Sequence, residues 1–159
     1  MPSLGATLGL LALTAPPLPR VSVSWASPSV APGGTARATL SVELADGFHA
    51  YANPPSRPEL IPLSVELIQP PKGVKATFTY PVGQLRAAGG DSQPVSVYES
   101  TVRVSVAVTA PAARGRYPLR FRVSMQQCDE VQCFLPQQVE VRTELVVAQP
   151  PTPRRGVKR

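Results

Sequence analysis

Apolar and polar residues alternate one for one through six separate stretches of this sequence, and that period of two constrains the fold more than any other feature. Ala38, Leu40, Val42 and Leu44 alternate with Thr39, Ser41 and Glu43, and Val102, Val104, Val106 and Val108 with Thr101, Arg103, Ser105, Ala107 and Thr109. The same pattern runs through 63–67, 74–80, 117–126 and 138–147. Successive side chains of an extended chain point to opposite faces, so each stretch reads as a strand with one dry and one wet face. A shorter run at 21–25 brings the count to about seven. Prolines, 20 among 159 residues, are spread along the whole chain, which excludes long helices. Between the runs stand turn signals such as Pro32-Gly33-Gly34, Asp46-Gly47 and Pro70-Pro71-Lys72-Gly73. The number and spacing of strands predict an all-β fold, an immunoglobulin-like antiparallel β-sandwich, with a partly open barrel as the rival architecture.

The two ends differ from this body. Residues 1–19 carry an apolar run, Leu4 to Ala15, of the length of an export-signal core, followed by Pro-Pro-Leu-Pro; no Lys or Arg precedes Arg20. At about a dozen residues it is too short to span a bilayer, which takes about 20. Residues 20–148 form the expected domain, and 149–159, rich in proline and arginine, read as a disordered basic tail. The formal charge of +6 resides mostly there, in Arg154, Arg155, Lys158 and Arg159. The near-neutral body lacks clustered Lys/Arg interleaved with stacking aromatics, so nucleic acid is not an expected partner.

Cys128 and Cys133 are the only cysteines and bracket Asp129-Glu130-Val131-Gln132 between two strong strands. A short chain reversal brings them within reach of a disulfide, for which Cα atoms lie about 4.4–6.8 Å apart. Strand parity puts Cys128 on the wet register of its strand and Cys133 on the dry register of the next, which requires an irregularity between them. An exported domain commonly oxidises such a pair as a staple. Yet so small a ring contributes only about 2 kcal/mol, and exchange chemistry is the competing explanation. Asp129 and Glu130, inside the loop, raise the thiol pKa values by like-charge repulsion or simply solvate a loop tip.

The remaining polar residues offer less. His49, the sole histidine, reads as a polar edge residue and Met125 as core. With one histidine a blue-copper centre cannot be built, and Met125, Cys128, Cys133 and His49 as a soft-cation set is a minor alternative. Zinc lacks its ligands, a G-x-S-x-G nucleophile motif is absent, and no cofactor is expected. Phe48 and Tyr51 either pack beside the cysteine loop or, by default, are strand-end core aromatics, and Trp25 reads as a packed sandwich residue.

Four segments in order carry a family resemblance across 21–147. Cys128-Asp-Glu-Val-Gln-Cys133-Phe-Leu-Pro136 resembles the C-(4–5 residues)-C-[aromatic or Leu]-x-P element of the N-terminal periplasmic domain of the disulfide reductase DsbD. Asp46-Gly-Phe-His-Ala-Tyr-Ala-Asn53 resembles that family's D-G-aromatic-H-x-Y-x-N, Tyr80-Pro81 its Y-P, and Val97-Tyr98-Glu99 its V-Y-E/G. The resemblance implies a periplasmic or otherwise extracytoplasmic immunoglobulin-like domain. It would take electrons from a membrane electron carrier and pass them to oxidised thioredoxin-like proteins, touching the membrane only through a partner. Cys128 and Cys133 would carry the exchange, Cys133 forming the mixed disulfide and Cys128 resolving it. A cap loop would fall between Leu85 and Val97, where this sequence has no aromatic residue to lie over sulfur. The alternative from another class is a non-catalytic immunoglobulin-like binding or adhesion module with a structural disulfide.

Overall fold

The computed structural model describes residues 15–88, 90 and 92–149; most of the leader and of the tail lie outside the described residues. Eleven strands form among these: β1 (Arg20–Trp25), β2 (Thr35–Glu43), β3 (His49–Tyr51), β4 (Ser64–Leu67), β5 (Lys75–Thr79), β6 (Gln84–Arg86), β7 (Val95–Glu99), β8 (Thr101–Thr109), β9 (Gly115–Met125), β10 (Gln127–Cys128) and β11 (Gln137–Val147). The seven alternating runs are β1, β2, β4, β5, β8, β9 and β11. They build two antiparallel sheets, ordered β1-β2-β8-β5 and β11-β9-β4. Their dry faces meet: Leu40, Val42, Val104 and Val108 from one sheet pack in a single cluster with Leu119, Phe121, Val123 and Leu145 from the other. Each such side chain contributes about 1.5–3 kcal/mol when fully buried, so alternation alone assembles the sandwich. Phe78 meets Phe121 edge to face at 6.1 Å, and Trp25 Nε1 donates to Thr143 Oγ1 at 2.9 Å, joining β1 to β11. The domain is an immunoglobulin-like antiparallel β-sandwich.

Four strands were not expected from periodicity, and they form a third sheet, β10-β3-β7-β6. These strands are short, and β3 and β10 are buried at every residue, so no alternation marks them. Three sandwich strands connect to strands of this sheet within one to five residues. Ser100, at φ 58°, joins β7 to β8. The tight turn at Gly47, at φ 81°, leads from β2 towards β3, a conformation that glycine adopts without a Cβ penalty. Gln126 separates β9 from β10. Leu44 N–H donates to Ser100 O at 2.8 Å, tying two of these crossings together.

Residues 16–19, at the end of the expected leader, pack on this junction. Pro16 and Pro19 are buried, and the buried side-chain amide of Gln127 donates to Pro17 O at 2.8 Å while Gln137 Nε2 donates to Pro16 O at 3.2 Å.

Gly83 admits β6 to the third sheet, because a Cβ there would collide with the Ser96 hydroxyl and stand 2.5 Å from the Ala52 methyl. Gly83→Ala is expected to destabilise the domain by about 1–3 kcal/mol through overpacking, read as a lower urea midpoint. Gly33→Ala, where no atom stands within 4 Å, should lose only the cost of its positive φ.

Candidate redox site

Asp129 to Gln132 form a tight reversal at the end of β10. Asp129 N–H donates to Gln132 O and Phe134 N–H to Gln127 O, both at 2.9 Å. These two bonds flank the Cys128↔Cys133 bridge, making the cysteines a non-hydrogen-bonded antiparallel pair, the register in which opposite Cα atoms approach most closely. The pair is joined as a disulfide with Cα atoms 3.9 Å apart, nearer than the expected range. Parity counted along a continuous strand put Cys128 on a wet register, which is incorrect. The chain leaves the β9 sheet at Gln126 and enters another sheet, so Gln127 and Cys128 are both buried.

The acidic loop residues separate in role. Asp129 Oδ1 accepts from the backbone N–H groups of Val131 and Gln132, each at 2.8 Å. The N–H of Gln132, then that of Val131, hold its carboxyl below the usual carboxylate range. Asp129 therefore builds the turn, while Glu130 is exposed beside it.

The two sulfurs sit differently. Cys128 is fully buried and Cys133 only partly so. Tyr51 Oη lies 3.2 Å from Cys133 Sγ, and since a bridged sulfur carries no hydrogen, the hydroxyl donates. Tyr51, Ala88, Val95, Val97 and Cys128 form a small apolar cluster of their own, with Leu60 and Cys133 against it. Ala88 brings the expected cap loop into this cluster, and a Cβ on Gly90 would stand 3.4 Å from the carbonyl oxygen of Val131. The 85–97 loop thus approaches the cysteine hairpin through small residues, without an aromatic. Phe48 stacks at a tilt on Phe134, 5.9 Å away, so Phe48 and Tyr51 belong to the cysteine loop rather than to the sandwich core.

His49 is not an edge residue. Its strand lies between β10 and β7, and it is 7% exposed. Burial holds its imidazole below the usual range, while the charges of Glu99 and Asp129 pull the other way. Met125 packs in the sandwich core, in a different cluster from Cys128.

The other motif residues hold the site rather than face it. The buried Tyr98 hydroxyl accepts from Asn53 N–H at 3.1 Å and donates to Pro81 O at 2.8 Å. Asn53 Nδ2 donates to Leu63 O, and Tyr80 Oη accepts from Val65 N–H at 2.8 Å. Burial raises the Tyr98 phenol above its ordinary value. Sequence reasoning missed Gln127, whose side chain joins Pro17 to Gln137 beside Cys128; only its position next to the cysteine signalled it.

The domain is thus a β-sandwich that carries a cysteine disulfide on an accessory sheet, with one sulfur buried and the other partly exposed. The family described as thiol:disulfide interchange protein DsbD, N-terminal, matches residues 18–145, and the chain belongs to that family. Among solved structures it is similar to the N-terminal periplasmic domain of ScsB from Proteus mirabilis, with TM-score 0.57 and 17% identity over 88% of this chain and 52% of that one. This chain therefore spans about half of that neighbour. It is also similar to the reduced DsbD N-terminal domain of Neisseria meningitidis, with TM-score 0.48 and 14% identity over 69% of this chain and 77% of that one. No curated protein sequence matches. Among the described residues, no helix is long and apolar enough to cross a membrane.

Tyr51→Phe should leave the fold intact and raise the pKa of the Cys133 thiol in the reduced protein, because the hydroxyl that stabilises a thiolate there is removed. Thiolate ultraviolet absorbance against pH, in a Cys128→Ala background, measures the shift.

Proposed function

We propose that this domain is an extracytoplasmic electron relay, taking electrons from a membrane reductase and reducing disulfides of thioredoxin-like partner proteins through Cys128 and Cys133. The observation that carries the reading is where the disulfide lies. It links two residues already held opposite one another by the hydrogen bonds on either side, so it adds little that the backbone lacks. A ring this small contributes about 2 kcal/mol, against a sandwich core of more than twenty buried apolar residues. A structural staple is better spent across distant strands.

The asymmetry of burial supports distinct roles. Cys133, partly exposed and followed by the exposed Leu135, is the sulfur a partner reaches; Cys128 waits behind it as the resolving thiol. Exposed Val131 at the hairpin tip adds to an apolar rim of the kind that docks a protein surface. The leader reading belongs to this proposal, with cleavage ahead of Pro16 preserving the contacts of Pro16 and Pro17.

Cys128→Ser should accumulate a mixed disulfide with a thioredoxin-like protein, since the intermediate cannot resolve, and Cys133→Ser should accumulate little. Non-reducing electrophoresis and mass spectrometry read both. Trapping by neither variant would favour the binding module with a structural disulfide. Reduction of the wild-type protein should leave its far-ultraviolet β-sheet circular dichroism in place at 25 °C; its loss would assign the bond a structural role.

A further inference from the structure

A line of side chains crosses the third sheet and includes one that the relay has not used. Cys133, Cys128, His49 and Glu99 are successive cross-strand partners, from the hairpin through β10 and β3 to β7. Directly opposite residues on neighbouring antiparallel strands project to one face, with Cβ atoms about 4.5–5.5 Å apart. His49 therefore stands between the resolving cysteine and a carboxylate. It is 93% buried, and its Nε2 has no hydrogen-bond partner among the described residues. Buried polar atoms are seldom left unpaired, and one that is so in the disulfide state points to a partner that exists in another state.

The charged surroundings suit a group that gains and loses a proton. Glu99 faces His49 from β7 and is itself paired with Arg86 of β6 at 3.4 Å. Asp129 acts on it from the hairpin. Asp46, Glu99, Arg86 and Glu130 line a cleft of about 420 Å³ that reaches His49 and opens a route to water. Burial favours the neutral imidazole, the form able to accept a proton, and the carboxylates stabilise the imidazolium once it forms.

We propose that His49 is the proton acceptor for the Cys128 thiol as the site closes its own disulfide. The proposal rests on the exchange function above and adds to it the base. In the first step the Cys133 thiolate attacks a partner protein's disulfide, forming the mixed disulfide and releasing one partner thiolate. In the second, Cys128 S–H passes its proton to His49 Nε2 while its sulfur attacks Cys133 Sγ. The Cys128–Cys133 bond forms, the bond from Cys133 to the partner breaks, and the partner sulfur leaves as a thiolate. The imidazolium then returns the proton to that thiolate or to water in the cleft. Over both steps two electrons pass from the dithiol to the partner disulfide; one released partner thiolate takes the Cys128 proton, and the other takes from water the proton that Cys133 gave up when it ionised. In the reverse direction the imidazolium protonates Cys128 as it leaves.

The test uses the reduced full chain with oxidised glutathione as the probe disulfide, quenched by acid at intervals and resolved by mass into the glutathione adduct and the closed disulfide. His49→Gln should slow closure at neutral pH by about tenfold or more, within the range for general acid–base catalysis, and leave adduct formation within about twofold. The deficit should shrink as the pH rises towards the range in which a thiol ionises without the help of a base. Equal closure rates for variant and wild type across the pH range overturn the proposal. A wild type that forms neither adduct nor closed disulfide overturns the exchange function itself, a separate result. Should His49→Gln not fold, the single histidine of the chain supplies the second measurement. In reduced Cys133→Ala protein, the imidazole resonance and the Cys128 thiolate absorbance should titrate with shared inflections. Titrations that ignore one another overturn the proposal as well.

Discussion

Everything at the site depends on strands that change sheets. β2, β8 and β9 are pinned in the sandwich by the burial of Leu40, Val104, Phe121 and their neighbours, and the chain beyond each enters or leaves the third sheet within a few residues. The first cysteine is thus only two residues removed from a close-packed core, since Met125 is fully buried and Gln126 and Gln127 alone separate it from Cys128. A core packed at crystal-like density yields little, so the reacting sulfurs inherit a fixed position from the sandwich without a long element of their own. The side-chain amide of Gln127 reinforces the junction by holding the Pro17 carbonyl and the Gln137 side chain together.

That arrangement separates holding from reacting. Tyr80, Pro81, Asn53 and Tyr98, which share the family pattern, act through backbone hydrogen bonds that join the segment after β5 to those around β3, β4 and β7. Tyr51 and His49, on the same strand two residues apart, share the face of β3 that carries the cysteines, and Tyr51 reaches Cys133 Sγ. Asp129 sits between the two groups: its carboxylate caps the turn while its charge acts on His49. The 85–97 loop comes near the hairpin through Ala88 and Gly90, whose small size lets backbone approach where a large ring would have to be accommodated.

The legibility of these parts in the sequence followed their length and their environment. Long strands with one wet face advertise themselves by alternation, and β8 was readable to the residue as Thr101–Thr109. The strands of the third sheet are two to five residues long; β6 is exposed at every position, and β3 and β10 are buried at every position, so that a run such as His49-Ala50-Tyr51 carries no period. The motif resemblance marked those segments where periodicity was silent. It gave no indication that His49 is interior, because burial depends on β10 and β7 flanking β3, and that pairing joins residues dozens of positions apart.

The sequence by itself determined an all-β sandwich, the pairing of two lone cysteines in a small ring, and the near-neutral body with its charge displaced to one end, since each of these follows from local spacing and composition. Only the tertiary structure decided which sulfur is buried, that Tyr51 donates to the other, and that Cys133, Cys128, His49 and Glu99 lie in one row. The physical reason is the break at Gln126. Facing is inherited along a strand only while the strand stays in one sheet, and once the chain crosses to another sheet the neighbours that bury a side chain are chosen by long-range pairing.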